Sequence, residues 1–149
     1  MAAATAPILS RIAGYSFDES ANLANPQARQ QLSGSAIRAF LKLIDKWQLT
    51  EAQARSLLGG IASSTFHDWK TSPDKQKLSQ DVLVRISLFV GIYKALNIYF
   101  GHPLADQWIT FGNNGPMFAG VSPLDYMIRH GQPGMVQVRR MLDSWRGGR

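Results

Sequence analysis

The sequence of 149 residues contains no cysteine. This absence excludes disulfide bonds, thiolate catalysis and cysteine-ligated zinc or iron–sulfur sites, so the fold must be stabilised by packing. No uninterrupted apolar run approaches the roughly 18 residues that a membrane-spanning helix needs. Residues 1–14 lack the basic start and long apolar centre of a signal peptide. With 45% hydrophobic residues, we expect a folded cytoplasmic protein with no membrane partner.

Apolar residues recur at helical spacing, and no useful length of the chain alternates with the period of a β-strand. One predicted helix has its apolar face at Ile37, Phe40, Leu41, Ile44 and Trp47. A longer helix, from a Ser79 cap to about Phe100, has an almost unbroken apolar stripe. The sequence therefore predicts an all-α fold, a helical bundle.

The segment LTEAQARSLLGGIASSTFHDWK, residues 49–70, has the signals of a helix-turn-helix. Thr50 and Gln53 form a capping box, in which each side chain satisfies a backbone N–H at a helix start. Gly59 and Gly60 supply the freedom to end that helix sharply. Many regulators enter the DNA major groove with such a pair of helices.

The second helix of this motif is predicted to begin at Ser63 or Ser64, with Phe66 and Trp69 directed inward. Its outward face has no arginine, the side chain that reads guanine best, and Asp68 would repel a nearby phosphate. Because the motif is neutral, we expect help from a dimer mate, from nearby lysines or from the N-terminal arm, which could carry Arg11 and Arg29 to the duplex. The candidate DNA contacts are Ser63, Ser64, Thr65, His67, Lys70, Lys75 and Lys77. The alternative is a helical hairpin that only holds the core.

The excess positive charge lies at the C-terminus. The net charge is +6, and the last 21 residues hold five arginines against Asp143 alone. Such a run usually marks a solvated helix face. Trp145 and the ending RGGR favour another interpretation, an aromatic anchor followed by a tail that binds a protein partner. We divide the chain into a flexible arm (1–33), a helix-turn-helix region (34–77) and a C-terminal helical region (78–149).

The segment after the long helix is predicted to hold a short helix and a structural loop. Pro103 can start the helix, whose Leu104, Trp108 and Phe111 are spaced to point inward. The loop FGNNGPMFAG lacks the Gly-Lys-Ser/Thr ending of a phosphate loop, so we interpret it as structural. Asn114 is expected to bond its backbone.

The last predicted helices begin after a Ser122 cap and around Pro133. The inward residues of the final helix are expected to be Met135, Val138, Met141, Leu142 and Trp145. The arginines of this stretch are expected to face outward.

No pattern in the chain points to catalysis or metal binding. His67, His102 and His130 are far apart in sequence, and none lies in an HExxH-like motif. No serine lies in a nucleophile elbow, and the ten acids fall mostly at caps and exposed positions. We predict no catalytic residue, no metal site and no cofactor.

Several segments, in one order, resemble a known family: LSQDVLVRISLFVGIYKALNIYFG, ADQWI, NNGPMFAG, SPLDYM and VRRMLDSWRGG. They are similar to the toxin-binding domain of the Xre/MbcA/ParS antitoxins, and the resemblance runs from about Ser35 to the C-terminus. It implies a non-enzymatic antitoxin that covers the NAD pocket of a cognate RES-domain toxin with its C-terminal region. It also implies a homodimer, formed mainly through the long helix, that represses its own operon by binding operator DNA.

On this interpretation the toxin-binding residues are Arg139, Arg140, Trp145, Arg146, Gly147, Gly148 and Arg149. The tail would act as a steric plug, with Arg149 meeting acidic rim groups or offering its carboxylate to a toxin arginine. The competing hypothesis is a stand-alone helix-turn-helix transcriptional regulator whose C-terminal half only dimerises. A weaker one is a structural adaptor that uses the basic tail on an acidic protein.

Overall fold

The computed structural model describes residues 11–12, 15–16 and 22–147, with side-chain environments from 22 to 145. In these residues six α-helices follow one two-residue antiparallel pairing. The strands are β1 (Arg11–Ile12) and β2 (Tyr15–Ser16), and the helices are α1 (Pro26–Trp47), α2 (Glu51–Leu57), α3 (Ser63–Thr71), α4 (Gln80–Tyr99), α5 (Leu104–Gln107) and α6 (Pro123–Gly147). Single 3-10 turns follow α3 and α5, at Pro73–Lys75 and Trp108–Thr110. The predicted all-α class is confirmed.

Side-chain caps fix where three of the helices begin, as predicted. Thr50 Oγ1 accepts from the Gln53 N–H at 3.1 Å, and the Gln53 side chain accepts from the Thr50 N–H at 2.9 Å. Ser79 caps α4 through the Val82 N–H, at 3.2 Å. Ser122 caps α6 in the same way, from the N–H of the third residue after it. Each cap satisfies backbone donors that a helix start otherwise leaves free.

The first helix begins earlier than the sequence pattern indicated. Asn25 caps α1, and Pro26 occupies its first turn, so the helix starts inside the segment assigned to a flexible arm. Leu23 and Ser33 are buried, and the Ser33 hydroxyl accepts from the Leu78 N–H at 2.9 Å. Polar residues on the exposed face of the first turns of α1 obscure the helical spacing of apolar residues in this part of the sequence. Residues 1–10, 13–14 and 17–21 of the arm lie outside the described residues.

The long helix α4 lies at the centre of the core, packed between α1 and α6. Phe89 of α4 is fully buried, and its ring lies 5.8 Å from that of Phe40 in α1. By length and a mean hydropathy of 1.5, α4 could also cross a membrane, a test that buried core helices pass as well. Most of its large apolar side chains are buried in the chain's own core, and the dimer contact expected mainly through this helix stays a prediction.

Two inward predictions in the segment after α4 are wrong. Leu104 is 41% exposed and Phe111 is 51% exposed, whereas Trp108 between them is buried. The spacing of three and four residues places side chains on one face only if an α-helix continues. Here α5 has four residues and gives way to a 3-10 turn at Trp108–Thr110, so the stripe is broken.

The loop after this turn is structural, as predicted, but a different asparagine holds it. The Asn113 side chain, not that of Asn114, accepts from the Gly115 N–H at 2.8 Å. Phe118 is buried and anchors the loop to the core. The loop leads into α6, which bends at Gly131, where φ is +67°. This bend separates the two helices that the sequence predicted before and after Pro133.

Candidate functional site

The helix-turn-helix is formed by α2, a turn through Gly59 and Gly60, and α3. Both glycines have positive φ, 91° and 86°, a backbone conformation that other residues adopt only with strain. Arg55 Nε donates to the Ile61 carbonyl at 2.9 Å and closes the turn. Phe66, buried like Trp69, fixes α3 against the core, as predicted.

Every predicted DNA contact lies on the surface. The seven residues are all exposed: Ser63, Ser64, Thr65, His67 and Lys70 on α3, and Lys75 and Lys77 just after it. Phe66 and Trp69 occupy the buried face of α3. All seven candidate contacts are accessible to solvent, as is Asp68 on the same helix.

The neutrality of the motif has a structural counterpart that the sequence analysis missed. Glu51, in the first turn of α2, accepts a hydrogen bond from Ser63 Oγ at 2.9 Å. Its carboxylate also lies 3.7 Å from an Arg55 nitrogen and 3.8 Å from Lys70 Nζ. Lys70 Nζ lies 5.0 Å from the centre of the Phe66 ring. Only the Glu51–Arg55 pair, four residues apart on one helix, had a sequence signal.

Arg85 ties the helix-turn-helix to the C-terminal helices. It donates from one guanidinium nitrogen to the Leu57 carbonyl at the end of α2, at 3.0 Å. Its Nε donates to Asp81 at 2.9 Å, and Asp81 in turn accepts from Gln132 of α6 at 2.9 Å. This chain of polar contacts satisfies an orphan carbonyl at a helix end and joins α2, α4 and α6.

The second half of α6 carries an aromatic side chain at the surface. Met135, Val138 and Leu142 are buried, as predicted, whereas Trp145 is 40% exposed. The prediction that Trp145 points inward is therefore only partly right. Its ring packs edge-on against the rings of Tyr99, Phe100 and Trp108, at centroid distances of 5.8, 6.4 and 6.2 Å. This aromatic cluster fixes the end of α6 before the chain's last residues.

The two predicted arginine contacts within α6 differ in their surroundings. Arg139 is partly buried, pairs with Asp143 at 3.2 Å and lies over Gly91 of α4. A Cβ atom at Gly91 would lie 1.6 Å from the Arg139 guanidinium, so the absence of a side chain there makes room for the arginine. Arg140 is exposed.

The other predicted toxin contacts fall at the end of the chain. The side chain of Arg146, the surroundings of Gly147, and all of Gly148 and Arg149 lie outside the described residues. The structure therefore brings together Arg139, Arg140 and Trp145 on one helix, and leaves the remaining contacts as predictions.

The sequence analysis also missed a group of exposed apolar side chains. In the described part of the chain the large exposed hydrophobics are Ile98, Leu104, Phe111 and Trp145, and they all follow the helix-turn-helix. Trp145 borders a mostly apolar groove of about 390 Å³, whose other lining residues are Asn113, Gly115, Pro116, Met117, Phe118 and Met141. An exposed tryptophan at the edge of an apolar groove is typical of a protein interface.

A metal site has little support in the described residues. No three histidine, aspartate or glutamate side chains between residues 22 and 145 come together in a way that could hold a metal ion. His102 Nδ1 lies 3.3 Å from the carboxylate of Asp106, four residues later; His102 is exposed and Asp106 is partly buried. The geometry favours binding surfaces.

Comparison with known proteins matches most of the chain to two family models. Residues 26–91 match the antitoxin Xre-like helix-turn-helix domain, and residues 95–148 match the antitoxin Xre/MbcA/ParS C-terminal toxin-binding domain. The chain is also similar to "Uncharacterized protein y4oB" of Sinorhizobium fredii. The two are 36% identical over 113 residues, which cover 75% of this chain and 84% of that protein.

Proposed function

The chain belongs to the Xre/MbcA/ParS antitoxin family, and we propose that it neutralises a RES-domain toxin that consumes NAD. It is an antitoxin without enzymatic activity, with a helix-turn-helix domain and a toxin-binding domain. In the proposed mechanism the C-terminal region covers the toxin's active site. Inhibition is then stoichiometric burial, and no step of chemistry belongs to this chain.

The observation that carries this proposal is the aromatic cluster under Trp145. The toxin-binding match, residues 95–148, contains the exposed apolar side chains and the apolar groove. Trp145 is held by three aromatic rings and is still 40% exposed, which suits an anchor residue that fills a partner's pocket. The residues after it would then be delivered to the rim of the toxin pocket.

Titration of the purified chain into a RES-domain enzyme from the neighbouring reading frame tests this proposal. We expect NAD consumption to fall linearly with added antitoxin and to reach zero at a fixed mole ratio, because a tight complex removes one active site per antitoxin tail. Unchanged NAD turnover at a large molar excess would contradict the proposal. Exchange of the toxin for an unrelated NAD hydrolase is the matched control, and its activity should not change.

We also propose that the helix-turn-helix binds operator DNA and represses the antitoxin's own operon. The support is the exposed polar face of α3, followed by Lys75 and Lys77. A homodimer in the cytoplasm would present two such faces and fix the spacing of the half-sites. Ser64, Thr65 and His67 would then meet base edges, and the lysines would meet phosphates.

Substitutions on these two sets of residues should have different signatures in DNA binding. Thr65→Ala with His67→Ala should lower affinity for the operator by about tenfold to a hundredfold and leave binding to random DNA unchanged, since base contacts carry sequence preference. Lys75→Gln with Lys77→Gln should weaken binding to both DNAs and reduce the salt slope by about 2. Fluorescence anisotropy with labelled duplexes measures both effects. If the variant with Thr65→Ala and His67→Ala lost the same affinity for operator and for random DNA, α3 would not be the helix that recognises the bases.

A further inference from the structure

Three donor groups of the helix-turn-helix converge on one carboxylate. Ser63 Oγ, at the start of α3, donates to Glu51 at 2.9 Å. The Arg55 guanidinium from α2 and the Lys70 ammonium near the end of α3 lie 3.7 and 3.8 Å from the same carboxylate. Glu51 and Lys70 are exposed and Arg55 is partly exposed, so the cluster lies at the surface that carries the predicted DNA contacts.

These groups are of the kind that proteins use to hold the DNA backbone. Most contacts to phosphate oxygens come from arginine, lysine and hydroxyl side chains, and they carry no sequence information. In helix-turn-helix complexes the first helix crosses the backbone while the second enters the major groove. A hydroxyl, a guanidinium and an ammonium therefore meet at the junction of the two helices where a phosphate is expected.

A carboxylate and a phosphodiester are both oxyanions and accept hydrogen bonds from the same cationic donors. Glu51 occupies the position that such an oxyanion would take, because it is the common partner of all three groups. With Glu51 in place, one negative charge offsets part of the positive charge that Arg55 and Lys70 would otherwise offer to DNA.

We propose that Ser63, Arg55 and Lys70 form a binding site for one backbone phosphate of DNA, which the Glu51 carboxylate fills in the free chain. Binding to DNA then exchanges Glu51 for a phosphate oxygen. The inference rests on the proposed binding of operator DNA. Ion pairs between exposed groups contribute little to stability, so the exchange is accessible and Glu51 lowers the affinity without blocking the site.

The substitution Glu51→Gln tests this site, because it keeps the shape of the side chain and removes its charge. The affinity for both operator and random DNA should rise roughly fivefold at 0.1 M salt, the effect of one unfavourable charge pair near 4 Å in water. The salt slope should change by less than about 1, because the same phosphate contact forms in both chains. Because the contact is to the backbone, the ratio of operator to random affinity should not change.

Two further variants separate the site from a general effect of charge. Asp125→Asn makes the same charge change on an exposed residue of α6, and it should leave the affinity within about twofold of the original. Lys70→Gln should cost less affinity in the original chain than in the Glu51→Gln chain, because in the original chain the lysine gives up its pair with Glu51 when it binds the phosphate. In the Glu51→Gln chain the same substitution should remove most of the gain. A gain that survives Lys70→Gln in full would overturn the proposal.

The outcomes also separate this inference from the proposed DNA binding. If neither the original chain nor Glu51→Gln binds duplex DNA at 50 mM salt, operator binding and the phosphate site are both wrong. If both proteins bind with the same affinity, operator binding stands and only the phosphate site is wrong. Circular dichroism spectra of all four variants should match that of the original chain.

Discussion

Removal of residues 146–149 is expected to weaken neutralisation of the toxin strongly. The truncated chain keeps Trp145 and the rings of Tyr99, Phe100 and Trp108 that hold it, so α6 should stay folded. What it loses is the tail that the proposal places in the toxin pocket, including two arginines. Loss of such a buried arginine contact typically costs 2–4 kcal/mol of binding, so the inhibition constant should rise by about a hundredfold. NAD consumption by the RES-domain toxin measures this effect.

A charge-matched variant controls for the two positive charges that the truncation removes. Lys42→Gln with Lys46→Gln lowers the net charge by the same amount on α1, outside the toxin-binding match. We expect this variant to inhibit the toxin as well as the full chain. Full inhibition by the truncated chain would contradict the plug mechanism. If substitutions of Thr65, His67 and Lys70 then abolished the biological effect, the stand-alone regulator would be the better hypothesis.

The substitution Phe89→Ala is expected to lower the free energy of unfolding by about 3–5 kcal/mol. Phe89 is fully buried in α4, and its ring packs against Phe40 of α1, so the smaller side chain leaves a cavity. Because α4 also packs against α6, the helix-turn-helix and the C-terminal helices should unfold in one transition. Urea unfolding followed by circular dichroism and by tryptophan fluorescence measures both quantities.

Ile98→Ala provides the control on the same helix. Ile98 is 46% exposed, so its truncation removes less buried surface and should cost less than about 1 kcal/mol. Two separate unfolding transitions in the original chain would show that the two regions fold independently. If Phe89→Ala and Ile98→Ala lowered the free energy of unfolding by the same amount, the burial of Phe89 would not stabilise the fold as expected.

Local signals in the sequence predicted the helix starts well, because a cap needs only a few neighbouring residues. Thr50, Ser79 and Ser122 each bond the N–H of the residue three positions later, and no distant contact is required. Burial was predicted less well where it depends on how long a helix continues. The four-residue length of α5 exposed Leu104 and Phe111, and no local signal marked its end.

The functional surfaces depended on contacts between distant residues. Ser63 and Lys70 are 12 and 19 positions from Glu51, and only the folding of α3 back onto α2 brings them to one carboxylate. In the same way, the cluster around Trp145 joins α4, the 3-10 turn at Trp108–Thr110 and α6, and helix periodicity alone did not predict it. The sequence identified the residue types, and the tertiary fold decided which of them meet.

The central helix also constrains how the two parts of such a protein can evolve. The helix-turn-helix match ends at residue 91 and the toxin-binding match begins at residue 95, and both positions lie inside α4. Recombination at this point would join half of one hydrophobic helix to half of another. A hybrid protein would have a well-packed core only if the two parent proteins had matching α4 side chains against both α1 and α6. We therefore expect toxin specificity to change among relatives by point substitutions near α6 more readily than by exchange of whole domains.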